Sequence, residues 1–335
     1  MVVSYEELKE TFREILESRN FPKETALKAA EIFAQNHLDG VYSHGANRFP
    51  LFVSVVDKGE VDPNVVPTLE MSAGALERWE GHRGFGPINA QFAMDRAIEL
   101  GKKYGIGCVA LGNSNHWMRG GTYGWQAASK GMIGICWSLT TANMPAWGGK
   151  DVKIGNNPLI MAIPKSDGKH IVIDVALSQY SYGKLWDYKL RGKDLPYPGG
   201  YDMDGNLTCN PNDIDESLRF LPIGYWKGSG LSICLDAIAT VLTNANSVAK
   251  VHTFENEVGL SQVFIAIDPT KFNTEALTDS IVDAIQKDIV SSVPAEGVKA
   301  VHYPGQGSLQ TREQNLKNGI PVLDEIWDKI QALKK

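Results

Sequence analysis

The chain's 335 residues suffice for one large domain or two smaller ones, and 43% hydrophobic with 21% charged residues is a globular balance. A net charge of -6 with unclustered basic residues argues against nucleic-acid or anionic-membrane partners, and no apolar run approaches the roughly 20 residues that span a bilayer. The acidic, amphipathic opening is unlike a secretory signal, and Cys108, Cys136 and Cys234 lie in apolar stretches as reduced core thiols, so a cytoplasmic location is expected.

Ser4 with Glu7 three residues on forms a capping box, and Tyr5, Leu8, Phe12, Ile15 and Leu16 follow at helical spacing. Phe21-Pro22 breaks this helix before a second, over residues 23–38, and a third surrounds residues 49–57. The opening is thus a small helical layer. Its character changes at residues 63–67, after which strand-like pieces are expected at 68–72 and 75–79. Pro87 opens a helix with Ile88, Phe92, Ala93 and Ile98 inward, stopped by Gly105. Apolar strands are expected at 106–111 and 133–138 around a helix at 122–130, and two more at 158–163 and 170–175. Residues 185–212, rich in Gly, Pro, Asp and Asn, form an ordered excursion. An apolar helix at 230–244, a strand at 262–267, an amphipathic helix at 273–291 and a terminal helix at 324–334 follow. The centre is an α/β sheet with helices on its faces.

Gly105-Ile106-Gly107-Cys108-Val109-Ala110 matches a dinucleotide fingerprint as a string, but its glycines end a helix and open a strand, the reverse of what that loop needs. No P-loop, H-E-x-x-H or C-x-x-C string occurs, so no metal site is expected. Five polar features remain. In the run Ser43-His44-Gly45-Ala46-Asn47-Arg48, an imidazole that can move a proton near neutral pH stands close to a guanidinium that can clamp a carboxylate. Asn115-His116-Trp117-Met118-Arg119 follows a strand, where α/β proteins tend to place ligands, although a polar turn would read the same way. Asp174 is a carboxylate inside an apolar strand, and it could meet a ribose hydroxyl, orient a histidine or cap a helix. The glycine-rich run around Trp226-Lys227 precedes a helix and could offer its N–H groups to a phosphate, and the turn at Gly305-Gln306-Gly307 could close over a ligand.

The runs at 40–50 (GVYSHGANRFP), 115–128 (NHWMRGGTYGWQAA), 131–137 (GMIGICW), 144–148 (MPAWG) and 224–230 (GYWKGSG) together resemble the type-2 malate/lactate dehydrogenase family, NAD(P)-dependent oxidoreductases outside the Rossmann class. The likeness extends from the first helix to Trp327. It implies a mixed-sheet α/β NAD-binding domain (67–311), a smaller helical domain from both termini (1–66 and 312–335), and an active site between them in a homodimer. It also implies that His44 is the proton donor and that His116 has an acid-base role. The cofactor, NADH in preference to NADPH, is expected at His170, Ile171, Val172, Ile173, Asp174, Val175 and Ala176, at Trp226 and Lys227, and at Gly305, Gln306 and Gly307. Relatives carry a glutamate in or just after that last turn, where this chain has Gln306.

The chemistry of the residues agrees with the resemblance. An imidazolium at His44 can protonate a ketone oxygen while Ser43 or His116 stabilises the charge developing on it. Arg48 can hold a substrate carboxylate, and Asn115, Trp117 and Arg119 suit the polyol tail of a small sugar acid. The rival reading is a non-catalytic sugar-acid binder using the same Arg48 clamp.

Overall fold

A computed structural model describes residues 1–334. The twelve helices are α1 (Tyr5–Glu17), α2 (Lys23–Leu38), α3 (Phe49–Asp57), α4 (Gly86–Tyr104), α5 (Gly121–Ser129), α6 (Tyr182–Leu190), α7 (Pro211–Ser217), α8 (Trp226–Thr243), α9 (Val248–Val251), α10 (Glu275–Val290), α11 (Gln306–Asn318) and α12 (Asp324–Ala332). Seven strands form the central sheet: β1 (Thr68–Ala73), β2 (Leu76–Glu80), β3 (Ile106–Asn115), β4 (Ile133–Ser138), β5 (Leu159–Ile163), β6 (Ile171–Val175) and β7 (Val258–Ile267). Their order is β1-β2-β3-β7-β4-β5-β6, with β2 and β3 parallel and every other pair antiparallel. This is the expected mixed α/β sheet, and β6 is one of its edges.

Local chemistry sets the opening helices. Ser4 caps α1 by accepting from the Glu7 N–H, and α1 and α2 bury Leu8, Phe12, Ile15 and Phe33. Phe12 stacks on Phe49 at 4.1 Å, so α3 joins the same core, which also takes in Ile320, Trp327 and Ile330 from the far end of the chain. Two residues there, Ile320–Pro321, pair antiparallel with Val2–Val3. The core under the sheet is separate and gathers α4, β3 and α5 around Met94, Leu111, Trp117, Tyr123 and Phe264. Gly105 ends α4 at φ +90°, its N–H bonded to the Gly101 carbonyl, so the fingerprint-like string is a helix stop.

Several expectations shift. β3 runs on to Asn115, so the second polar cluster begins inside a strand. α8 starts at Trp226, and its run of apolar residues is not all interior, since Leu231, Ile238 and Val241 are exposed. Cys234 on the same helix is exposed and is therefore no core thiol, while Cys136 is buried. α11 has no counterpart in the expected elements, and residues 185–212 run from within α6 through a two-stranded pair (Gly200–Tyr201 with Leu207–Thr208) to the start of α7. No helix among the described residues is long and apolar enough to cross a membrane.

Candidate active site

The His44 loop hangs from α2. The Asn36 amide donates to the His44 carbonyl at 3.1 Å, and the Ala46 N–H donates to His37 Nδ1 at 3.1 Å. With Nδ1 accepting, His37 carries its proton on Nε2, which donates to the Pro321 carbonyl at 3.0 Å. Gly45 lies flat against that imidazole, and a Cβ there would stand 2.6 Å from His37 Cβ. Tyr42–His44 form a 3-10 turn and Arg48 precedes α3, so His44 and Arg48 share a loop but not a helix. Ser43 Oγ sits 3.1 Å from His44 Nδ1.

The His116 loop is built from strained backbone. Met118 adopts φ +63°, a region non-glycine residues avoid, and its N–H donates to His116 Nδ1 at 3.1 Å. The ring proton must then be on Nε2, which faces Glu257 Oε1 at 3.8 Å. Glu257 is held in turn by the Thr141 N–H, 2.9 Å from Oε2. Gly86 lets α4 pass beneath, because a Cβ there would be 2.3 Å from the His116 carbonyl. The two imidazoles stand parallel, 5° apart in plane, with centroids separated by 6.0 Å.

Desolvation dominates the electrostatics. Burial, then the charges of Arg48 and Arg119, pulls the His44 pKa down to about 4. Burial, then Arg48 and His44, also pulls His116 well below its ordinary value. Burial raises the Glu257 carboxyl against the opposing pull of the Thr141 N–H and Arg48. Burial likewise raises Asp174, opposed by the Gly121 N–H and Arg119. Yet His44, His116, Glu257 and Asp174 all keep accessible surface. Groups that are both accessible and desolvated stand in recesses of the surface, the setting in which enzymes tune proton transfer, and His116 and Glu257 share one such recess.

The three segments expected to hold a cofactor meet along β6. At its start a Cβ on Gly305 (φ +96°) would lie 3.1 Å from Val172 N, and Val172 N–H donates to the Pro304 carbonyl at 3.0 Å. Past its end, the Ile223 N–H donates to the Leu177 carbonyl at 2.8 Å and ties down the turn before Trp226. Between them Asp174 Oδ2 accepts the Gly121 N–H at 2.7 Å, so it caps α5, one of the readings open from sequence. Thr122 Oγ1 donates to Asn36 Oδ1 at 2.9 Å, and Asn36 holds the His44 carbonyl. Hydrogen bonds and adjacent α5 residues thus connect β6 to the His44 loop.

Other expected residues stand elsewhere or do other work. Trp117 is 1% exposed and packs on Tyr123 and Phe264, so it belongs to the sheet core and meets no substrate. Arg119 gives its guanidinium to Asp39 at 2.6 Å, and Asp39 also takes two bonds from the half-buried Arg312 at 2.7 and 2.9 Å; this triad ties the His116 loop to α2 and α11 instead of gripping a ligand. His170 is buried, its Nδ1 accepting the Lys165 N–H at 2.9 Å, and the Val172 side chain is also buried, leaving backbone to face a ligand. At α8 the Lys227 and Gly228 N–H groups already bond the Gly224 and Ile223 carbonyls at 3.3 and 2.9 Å, so that helix start is no free phosphate cradle. The Gln306 side chain turns back to the Tyr303 N–H at 3.3 Å.

Beside the imidazoles lies a cavity of about 150 Å³ walled by Arg48, Asn115 and His116 together with Glu60, Asn256 and Glu257. The last three went unrecognised in the sequence, as did Asn36 and His37. A buried Asn-His pair in an otherwise alanine-rich helix was the available signal for the latter two.

Paired imidazoles and a guanidinium beside a mixed sheet suit proton transfer to or from a substrate oxygen, and the comparisons supply the class, an oxidoreductase of hydroxy or keto acids whose family implies a nicotinamide cofactor. The chain matches the malate/L-lactate dehydrogenase family over residues 3–331 and belongs to it. It is 49% identical over 335 residues to the 2,3-diketo-L-gulonate reductase of Citrobacter koseri, covering 99% of this chain and 100% of that one. The sulfolactate dehydrogenase of Methanocaldococcus jannaschii superposes with a TM-score of 0.89 at 27% identity, covering 99% of this chain and 96% of that one. The malate dehydrogenase of Entamoeba histolytica shares the fold at a TM-score of 0.94 and 24% identity, over 99% and 97% of the two chains.

Proposed function

We propose that the chain reduces the 2-keto group of 2,3-diketo-L-gulonate to 3-dehydro-L-gulonate with NADH, His44 acting as proton donor. The observation that carries this reading is the desolvated crevice in which His44, His116 and Arg48 converge. Near-half identity over the full length to a reductase of that name supports the substrate.

Arg48 takes the substrate carboxylate with its planar fork. That anion cancels one of the positive charges holding His44 unprotonated, so substrate and proton enter the crevice together. A reduced nicotinamide, when bound, supplies the hydride that the keto carbon accepts. His44 then passes its proton to the oxygen as negative charge grows there, and Nε2–H of His116 steadies that charge. Asp174 Oδ1 has no hydrogen-bond partner among the described residues, which suits a ribose hydroxyl and disfavours a 2′-phosphate. The exposed aromatic faces of Trp147, Tyr225 and Trp226 suit a planar ring.

The exposed apolar stripe of α8 supports a homodimer, and the core that joins α1–α3 to α12, apart from the cores packed on the sheet, supports a division into 1–66 with 312–335 and 67–311. The composition supports a cytoplasmic enzyme. The decisive assay follows absorbance with a panel of 2-keto acids, using NADH and NADPH separately. The diketogulonate with NADH should exceed the others by at least about tenfold in kcat/KM. Faster turnover of oxaloacetate, pyruvate or the keto form of ureidoglycolate would overturn the substrate, and a preference for NADPH would overturn the cofactor.

A further inference from the structure

Two residues that wall the cavity beside His116 carry buried side-chain oxygens with no donor among the described residues. Asn115 is 5% exposed, and its amide nitrogen donates to the Arg83 and Gly84 carbonyls at 2.7 and 3.2 Å. With the Glu60 carbonyl also at 3.3 Å, flipping the amide would set oxygen against three carbonyls, so Oδ1 is fixed where it is, buried and without a partner. Glu60 shows the same imbalance. Its Oε1 accepts from Asn256 at 2.6 Å, while Oε2 is buried and unpartnered. Across the cavity, Glu257 Oε1 and His116 Nε2–H stand 3.8 Å apart, too far to bond each other. Glu257 Oε1 therefore keeps room for an outside donor, and a hydroxyl supplies one while His116 Nε2–H serves the reacting oxygen.

Unpaired buried acceptors are costly, and they call for a ligand that brings O–H groups. The remaining wall, with Leu51, Phe52, Val55 and Val61, is apolar and suits a carbon chain. At about 30 Å³ per water, 150 Å³ is room for about five waters, or a fragment of about three hydroxylated carbons. Charge adds a second criterion. Arg48 is the one cation in the wall and Glu60 and Glu257 are two anions, so a single carboxylate is welcome and a second is repelled.

We infer that this cavity is a hydroxyl-recognition subsite in which Glu60, Asn115 and Glu257 admit a polyhydroxylated tail and exclude a dicarboxylic acid. The inference rests on the reading that Arg48 takes the substrate's carboxylate. It makes the subsite, more than the catalytic pair, the part that separates this chain from a malate-type enzyme.

The test is a calorimetric titration with L-gulonate and with L-malate, NADH present, for the wild-type protein and for Glu60→Gln and Glu257→Gln. Both probes are hydroxy acids and cannot be reduced, so binding is read without turnover. The wild type should prefer gulonate. Each variant should lose gulonate affinity and gain malate affinity, moving the ratio of the two constants by about tenfold or more toward malate. Structural damage would weaken both ligands alike and leave the ratio in place. A ratio within about twofold of wild type in both variants, or a wild type that prefers malate, overturns the subsite. Failure of the reductase reading would show elsewhere, as a wild type that binds gulonate yet turns over no keto acid.

Discussion

His44 and His116 face each other across the crevice with the same ring and nearly the same orientation, but their nitrogens are treated differently. His116 Nδ1 is taken by a backbone N–H, which cannot give way, so that ring is held as a neutral Nε2–H donor. His44 Nδ1 faces only a serine hydroxyl, which rotates and can donate or accept, so that ring can gain and lose its proton without breaking a backbone bond. Two other imidazoles, His37 and His170, have the backbone-locked arrangement and serve structure. Proton mobility here depends on what holds the second nitrogen, more than on depth in the protein.

The largest test exchanges the two rings for amides. Glutamine can imitate an Nε2–H donor but carries no transferable proton. His44→Gln should therefore lower kcat by about 10²–10⁴-fold in steady-state kinetics, while His116→Gln stays within about tenfold of wild type. Equal losses would break the contrast.

Removing the anion beneath the His116 loop comes next. Asp39→Asn leaves Arg119 buried and Arg312 half-buried without their anionic partner, and denaturant unfolding should show a loss of about 3 kcal/mol. A loss under about 1 kcal/mol would mean the triad is not what fixes that loop.

Acid offers a probe of a locked ring. Burial holds the His37 pKa at about 4, below its ordinary value of 6.5, against the opposing hydrogen bonds to the Pro321 and Tyr42 backbone. Between those values the unfolded chain binds the proton and the folded chain does not, so stability is fully present above pH 6.5 and falls as pH drops toward 4. The loss from His37 alone should be about 3 kcal/mol, read from urea midpoints across that range, and His37→Gln should flatten the slope. The smallest expected effect is Gly45→Ala. Its new Cβ would crowd His37, costing about 1–3 kcal/mol and raising KM through displacement of the His44 loop.

Much of this arrangement was legible in the sequence because it is local. The capping box at Ser4, the break at Phe21-Pro22 and the glycine stop at Gly105 mark α1, α2 and α4 through short-range chemistry. Ser43, His44, Arg48, Asn115 and His116 lie in two compact polar runs, and the fold brings the runs face to face. What escaped reading depends on distance or on weak patterning. Glu257 and Glu60 reach the crevice from remote segments, and each looks like an ordinary surface carboxylate in its own neighbourhood. Arg119 resembled a substrate arm because its partner Asp39 lies 80 residues away. Trp117 sits in a polar run yet turns inward, which composition alone does not reveal. α11 buries only Asn315, so it has no apolar stripe to announce a helix.

The His44 loop leans on residues made long after it. His37 donates to Pro321 across 284 positions, and Arg312 reaches Asp39 across 273. During synthesis from the amino end, α2 emerges early and stays without these partners until α11 and the residues up to Pro321 leave the ribosome. The crevice is therefore assembled by those distant residues, and a chain truncated before α11 would carry every expected catalytic side chain yet lack the support that sets their geometry. Competence for chemistry is a late event in this molecule's biosynthesis, coupled to synthesis of α11 and the strand that follows it.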